Sequence, residues 1–135
     1  MDGLTLKLAR DPARLIGDFC KDCKLRGMTN ESIRRYKSSL RIFAQFLFRK
    51  GIDIQNVDVH ILKDFLQYLL YKRGVKHKTL GNYFSALSAF YDYLAFEGLV
   101  NTNIVLPFRK RYLKRYKNEF DDPERKLLTV EEMSK

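Results

Sequence analysis

Residues 79–98 read TLGNYFSALSAFYDYLAFEG, and Leu99 follows. Leu80, Tyr83, Leu87, Phe90, Tyr91 and Leu94 recur at the 3.6-residue period of a helix that buries one face, and the alternation of a strand is absent. Gly98 then offers a left-handed stop, and Leu99 offers an apolar side chain to fold back on the helix, the pairing of a Schellman cap. The same pairing occurs at Gly27–Met28, Gly51–Ile52 and Gly74–Val75, so the four stops fall at intervals of 24, 23 and 24 residues. Four helices of similar length are expected.

The expected starts agree with these stops. Asp11 before Pro12 places a cap and a first-turn proline, Thr29 caps the second helix, Asp58 the third, and Lys78 or Thr79 opens the fourth. Ile33, Tyr36, Leu40, Phe43 and Leu47 give the second helix its stripe; Ile61, Leu62, Phe65 and Leu69 give the third. No residue signature recurs beyond glycine plus an apolar neighbour, so the pattern indicates a compact all-α four-helix bundle rather than a repeat array.

At 135 residues, 45% hydrophobic and 13% aromatic, the chain has the size and apolar content of one domain with tails. No run approaches the roughly 18 apolar residues of a membrane span, and MDGLTLKLARDPARL has no apolar signal region, so the chain reads as soluble and cytoplasmic. Cys20 and Cys23 form a lone CxxC, with His60 and His77 far away in sequence; they share the helical stripe of Leu15, Ile16 and Phe19, which points to the core rather than to a metal. No metal, cofactor or small-molecule substrate is expected.

The net charge is +10. Residues 28–51 carry +5 and residues 99–117 carry +6, whereas 52–98 balance, 1–27 carry +2 and the last eighteen carry −3. Two basic blocks exceed the whole net charge, and an anionic partner follows, most simply nucleic acid. In the first block Thr29 caps a helix bearing Arg34, Arg35, Lys37, Ser38 and Arg41, opposed only by Glu31; Arg34, Ser38 and Arg41 share a face suited to phosphate oxygens. Lys76, His77, Lys78, Thr79, Asn82 and Ser85 lie at or near the start of the fourth helix, where unpaired N–H groups attract phosphate. Arg109, Lys110, Arg111, Lys114 and Arg115, interleaved with Tyr112 and Tyr116, form the strongest basic run.

The order MTNESIRRYKSSLRIFAQFL, VDVHILKDFLQYLLYKRG, KHKTLGNYFSALSAFYDYLAFEGLVNTN, RKLLTVEEM resembles the core-binding domain of tyrosine recombinases of the phage integrase and Xer type. The most specific part runs from Thr79 to Gly98, close to the family's T-x-x-x-x-L-S-A-L-x-x-F-Y-x-Y-L-x-x-x-G. Two departures are visible: the family's Asn-Pro after the fourth helix appears as NTNIV with proline delayed to Pro107, and Asn82 stands where an arginine is common.

The resemblance implies a SAM-like bundle over residues 11–100, preceded by a tail at 1–10 and followed by a basic linker at 101–128, part of which, within 108–120, has the four-residue aromatic spacing of a helix. It also implies duplex DNA as partner, gripped by the second and fourth helices, together with other recombinase protomers in a synaptic complex. Thr129 and Glu132 form a capping box, which fits the first residues of a catalytic domain beginning at 129. In the family that domain cleaves DNA through a phosphotyrosine, and none of its motifs lies in this chain, so no catalytic residue is nominated and no enzymatic activity is expected of this fragment. Residues after about Arg109 are expected to be poorly ordered without that domain. A helical protein-interaction module and a non-catalytic DNA-binding relic are the competing readings.

Overall fold

The computed structural model describes residues 11–113. Five α-helices build it: α1 Pro12–Leu25, α2 Asn30–Lys50, α3 Val59–Gln67, α4 His77–Phe96 and α5 Val105–Tyr112. No strand occurs among the described residues. The expected tail at 1–10 and the capping box at 129–132 lie outside them.

The local signals act as their chemistry requires. Thr29 accepts a bond from the Ser32 N–H at 3.1 Å, and Asp58 accepts one from the Ile61 N–H at 3.0 Å, each satisfying a helix-start donor. Asp11 caps through its backbone alone, with Pro12 in the first turn. All four glycines hold positive φ, from 64° at Gly74 to 87° at Gly27. Met28, Ile52 and Leu99 each donate five residues back, to Cys23, Leu47 and Leu94, closing the three Schellman stops.

The third stop differs. α3 ends at Gln67 and the chain widens into a π turn over Tyr68–Lys72, with Arg73 N–H bonded to Tyr68 and Val75 N–H reaching six residues back to Leu69 at 2.8 Å. Tyr68, Leu69 and Leu70 all pack on the core, and three successive residues cannot share one face of a regular α-turn. α4 also begins earlier than expected, with Lys76 as cap and His77 as first residue, in place of Lys78 or Thr79. Lys76 is extended and its carbonyl accepts from Leu80 N–H at 3.0 Å, so the first turn closes on the backbone without a side-chain cap.

α4 is the centre of the molecule. It packs against α1, α2 and α5, and buries Leu80, Phe84, Ala86, Leu87, Ser88, Phe90, Tyr91 and Leu94, more than one helical face can carry. Phe19 of α1 sits among Tyr36, Phe90 and Tyr93, and Phe43 of α2 sits between Phe65 and Tyr91. Between α2 and α3 the Ile54–Asn56 3-10 turn is pinned by the Tyr91 hydroxyl, which donates to the Ile54 carbonyl at 2.7 Å.

α5 lies within the expected linker stretch and starts three residues before the 108–120 segment in which some helix is expected. Val105, Phe108 and Leu113 are buried, and Phe108 stacks on Phe84 at 5.3 Å. Residues 109–113, expected to be poorly ordered, complete this helix and its contact with the core. Two sequence features explain it. Asn103 donates to the Ser88 carbonyl at 2.8 Å and accepts from the Val105 N–H at 3.0 Å, tying the turn to α4 and capping α5. Pro107 falls in the first turn, where its missing N–H has no partner to lose.

The cysteines lie with the core, Cys23 buried and Cys20 partly so, and burial raises both thiol pKa values. Among the described residues no cluster of histidine, cysteine and carboxylate could hold a metal, and no helix is long and apolar enough to cross a membrane.

Candidate nucleic-acid interface

The outer surface of α2 carries Arg34, Arg35, Lys37, Ser38 and Arg41, all exposed. Glu31 is placed one turn before the arginines and divides its two oxygens between them, at 3.1 Å to Arg34 and 3.3 Å to Arg35. Both arginines remain about 70% exposed or more, so the pairs are weak and exchangeable. Lys37 and Arg41 face the α1 side, close enough to oppose the rise in the Cys20 pKa. Thr29 keeps its hydroxyl for the cap and for Ser32, whose side chain lies 3.1 Å away.

At the start of α4, Lys76, His77, Lys78, Thr79 and Asn82 are exposed around the first turns. Ser85 is partly buried, and Arg109 of α5 donates to its hydroxyl at 3.4 Å. That bond joins two of the expected groups and fixes the orientation of α5 against α4. Lys110 and Arg111 project outward from α5. The Tyr112 ring lies beneath the Arg111 guanidinium at 5.7 Å and the Lys63 ammonium at 5.9 Å, and its hydroxyl pKa is lowered chiefly by a hydrogen bond with Arg111. Lys114 and Arg115 lie outside the described residues.

The packing separates other members of the expected set. Tyr36 and Tyr93 both touch Phe19, Phe43 meets Tyr91, and Phe46 meets Phe65, which also touches Tyr83 and Phe84. Ascending α2 therefore descends α4, and the two run antiparallel. Arg34 stands beside the end of α4, and the start of α4 lies near the end of α2.

That second end holds basic residues the sequence reading left out. Arg49 donates to the Tyr68 hydroxyl at 2.8 Å and lies over its ring at 5.5 Å. The Arg73 pKa is raised above the ordinary arginine value, chiefly through the Tyr68 side chain. Lys50 pairs with Asp64 at 3.5 Å. The signal was the basic pair before each glycine stop, Arg49–Lys50 and Lys72–Arg73, hidden in the second case because residues 52–98 sum to zero charge.

The phage integrase SAM-like domain family matches residues 14–110, from the first turn of α1 into α5. The chain belongs to that family. No curated protein and no solved structure matches it. The family match stops within α5, past the end of the expected four-helix unit, and so takes in the Arg109–Ser85 contact. In this integrase SAM-like domain the expected DNA-facing cations among the described residues lie on α2, around the start of α4 and on α5, helices that share the α4-centred core.

Proposed function

We propose that the chain is the DNA-binding module of a site-specific tyrosine recombinase. It grips one side of duplex DNA, while a C-terminal catalytic domain of the parent enzyme breaks and rejoins the strands. Its partners are duplex DNA and other recombinase protomers assembled on the recombination site. The observation that carries this reading is the rigidly mounted, unbalanced cationic surface of α2 and α5, joined to α4 through Arg109 and Ser85.

Along α2, Arg34 and Arg49 are fifteen residues apart, which is roughly 22 Å at 1.5 Å per residue. A major groove is about 12 Å wide, so cations at the two ends of this helix reach the phosphates on both of its sides. Contacts of this kind orient the protein and carry no sequence information themselves. Asn82 and Thr79, exposed at the start of α4, are the short polar side chains available for base edges.

A fluorescent duplex titrated at several salt concentrations tests the proposal. Roughly four to six phosphate contacts give a log K against log salt slope of about −4 to −5. Charge reversal at Arg34 and Arg41 should abolish binding and leave the circular dichroism spectrum unchanged. No binding at low salt, or binding indifferent to salt, refutes the reading; DNA binding that survives the reversal while an acidic protein partner is lost favours an interaction module.

A further inference from the structure

We infer that Lys63 of α3 and Arg111 of α5, mounted on the Tyr112 ring, form a phosphate-binding site that extends the DNA contact from α5 onto α3. The inference rests on the DNA-binding reading and deepens it, adding a cation from the part of the chain, residues 52–98, whose charge sums to zero.

Two helices deliver their charges to one ring. Lys63 Nζ lies over Tyr112 at 5.9 Å from the ring centroid, and the Arg111 guanidinium lies over the same ring at 5.7 Å. Both distances fall inside the roughly 6 Å reach of a cation–π attraction. The two cations are therefore within about 12 Å of each other, a span that takes in consecutive phosphates of one DNA strand, which follow every ~3.4 Å of helix axis.

Neither cation has a carboxylate partner among the described residues, and Asp64, next to Lys63 in sequence, pairs with Lys50 at 3.5 Å. A neutral ring holds the two charges without discharging them, so an anion reaching both gains charge-assisted contacts and relieves their mutual repulsion. The basic row continues on α5 through exposed Lys110, and a linear polyanion fits such a row.

The mount is anchored in the core. Tyr112 is tilted against Phe108 at 4.6 Å, Phe108 stacks on Phe84 of α4 at 5.3 Å, and Phe84 meets Phe65 of α3 at 5.9 Å, two residues past Lys63. Phe65, Phe84 and Phe108 are all buried. This path of rings leads back to the helix that carries Lys63, so α3 and α5 keep their spacing while Arg111 stays exposed and Lys63 half-buried.

Anisotropy of a random-sequence fluorescent duplex over a salt series, which separates phosphate contacts from base readout, tests the site. The Lys63→Gln/Arg111→Gln double variant should bind with a salt slope shallower by about 1.8, two phosphates at roughly 0.9 each. Lys63→Gln alone should remove about half of that, and Lys63→Arg should hold the parent slope because the charge stays. Tyr112→Leu, which leaves Phe108 an apolar neighbour, should weaken binding about three-fold in the parent protein and have no effect in the double glutamine variant, because the ring acts only through the two cations. A parent slope retained by Lys63→Gln overturns the site and leaves the DNA reading standing. Equal Tyr112→Leu losses in both backgrounds overturn the mounting role of the ring. Absence of salt-dependent binding by the parent protein overturns the DNA reading itself.

Discussion

Replacing Phe108 by alanine decides whether α5 is part of the folded unit or a linker resting on it. Phe108 is 2% exposed, stacked on Phe84 at 5.3 Å and tilted against Tyr112 at 4.6 Å, in a cluster continuous with the rest of the core. Removing a fully buried phenylalanine costs about 3–5 kcal/mol through lost transfer energy and the cavity left behind. For a domain of this size, with total stability of roughly 5–15 kcal/mol, that is a large fraction. The melting temperature should fall by roughly 12–40 °C at about 4–8 °C per kcal/mol. Leu106, 47% exposed on the opposite side of the same helix, serves as control, and its alanine variant should lie within about 0.5 kcal/mol of the parent. Urea unfolding followed by circular dichroism measures both. A Phe108→Ala loss below about 1 kcal/mol, with the bundle transition in place, would show that α5 detaches without the core noticing, and the assignment of residues 101–113 to the domain would fail.

The remaining predictions concern backbone, cap, titration and charge. An added Cβ meets nothing within 4 Å at Gly17, inside α1, or at Gly51, which has φ of 70°, so only backbone conformation separates them. Gly17→Ala should stabilise by about 0.5–1 kcal/mol and Gly51→Ala should destabilise by about 1–2 kcal/mol in denaturant titrations; shifts of the same sign would refute that reasoning. Thr29→Ala should cost about 1 kcal/mol by freeing the Ser32 N–H, and an unchanged midpoint would show the cap to be idle. Burial pushes the Tyr91 hydroxyl pKa above its ordinary value near 10, so the fold favours its neutral form. Its contribution is therefore complete below about pH 10 and is lost as pH rises further, at about 1.4 kcal/mol per unit; Tyr91→Phe should lose stability less steeply than the parent above that pH, and parallel curves would contradict this. Glu31→Gln should leave stability within about 0.5 kcal/mol and tighten duplex binding several-fold by releasing Arg34 and Arg35; unchanged or weaker affinity would show that the glutamate does not compete with phosphate.

Local signals in the sequence were enough for the helices because each was chemically redundant. Gly27, Gly51 and Gly98 stop helices through φ, through the bond of the following N–H and through an apolar neighbour at once. Thr29 and Asp58 likewise announce starts that their side chains complete. α5 was harder to read because its cap does not stand directly before it. Asn103 works through an intervening residue and a carbonyl fifteen positions earlier, and Pro107 reads as a breaker unless the helix start is already known. The aromatic spacing of Phe108 and Tyr112 was visible, but the surface that receives Phe108 belongs to Phe84 and exists only once α4 is folded.

The candidate interface was legible in kind and less so in arrangement, and the reason is geometric. Charge counted along the chain groups residues by neighbourhood in sequence, whereas antiparallel packing groups the end of one helix with the start of another. Residues 52–98 balance to zero, yet Asp64 pairs with Lys50 of the first basic block, and Tyr68 holds Arg49 of the same block. The π turn deepens the concealment, because Leu62, Phe65, Leu66 and Leu69 have the spacing of an unbroken α-helix and give no hint of the widening after Gln67. Continued α-geometry through residue 72 would bond Arg73 N–H to Leu69, four residues back, instead of to Tyr68, five back. It would turn each later side chain further around the helix axis by up to a full residue's rotation, about 100°. Arg73 would then leave the helix at a different angle, so the place of its charge at this end of the bundle is set by the single widened turn.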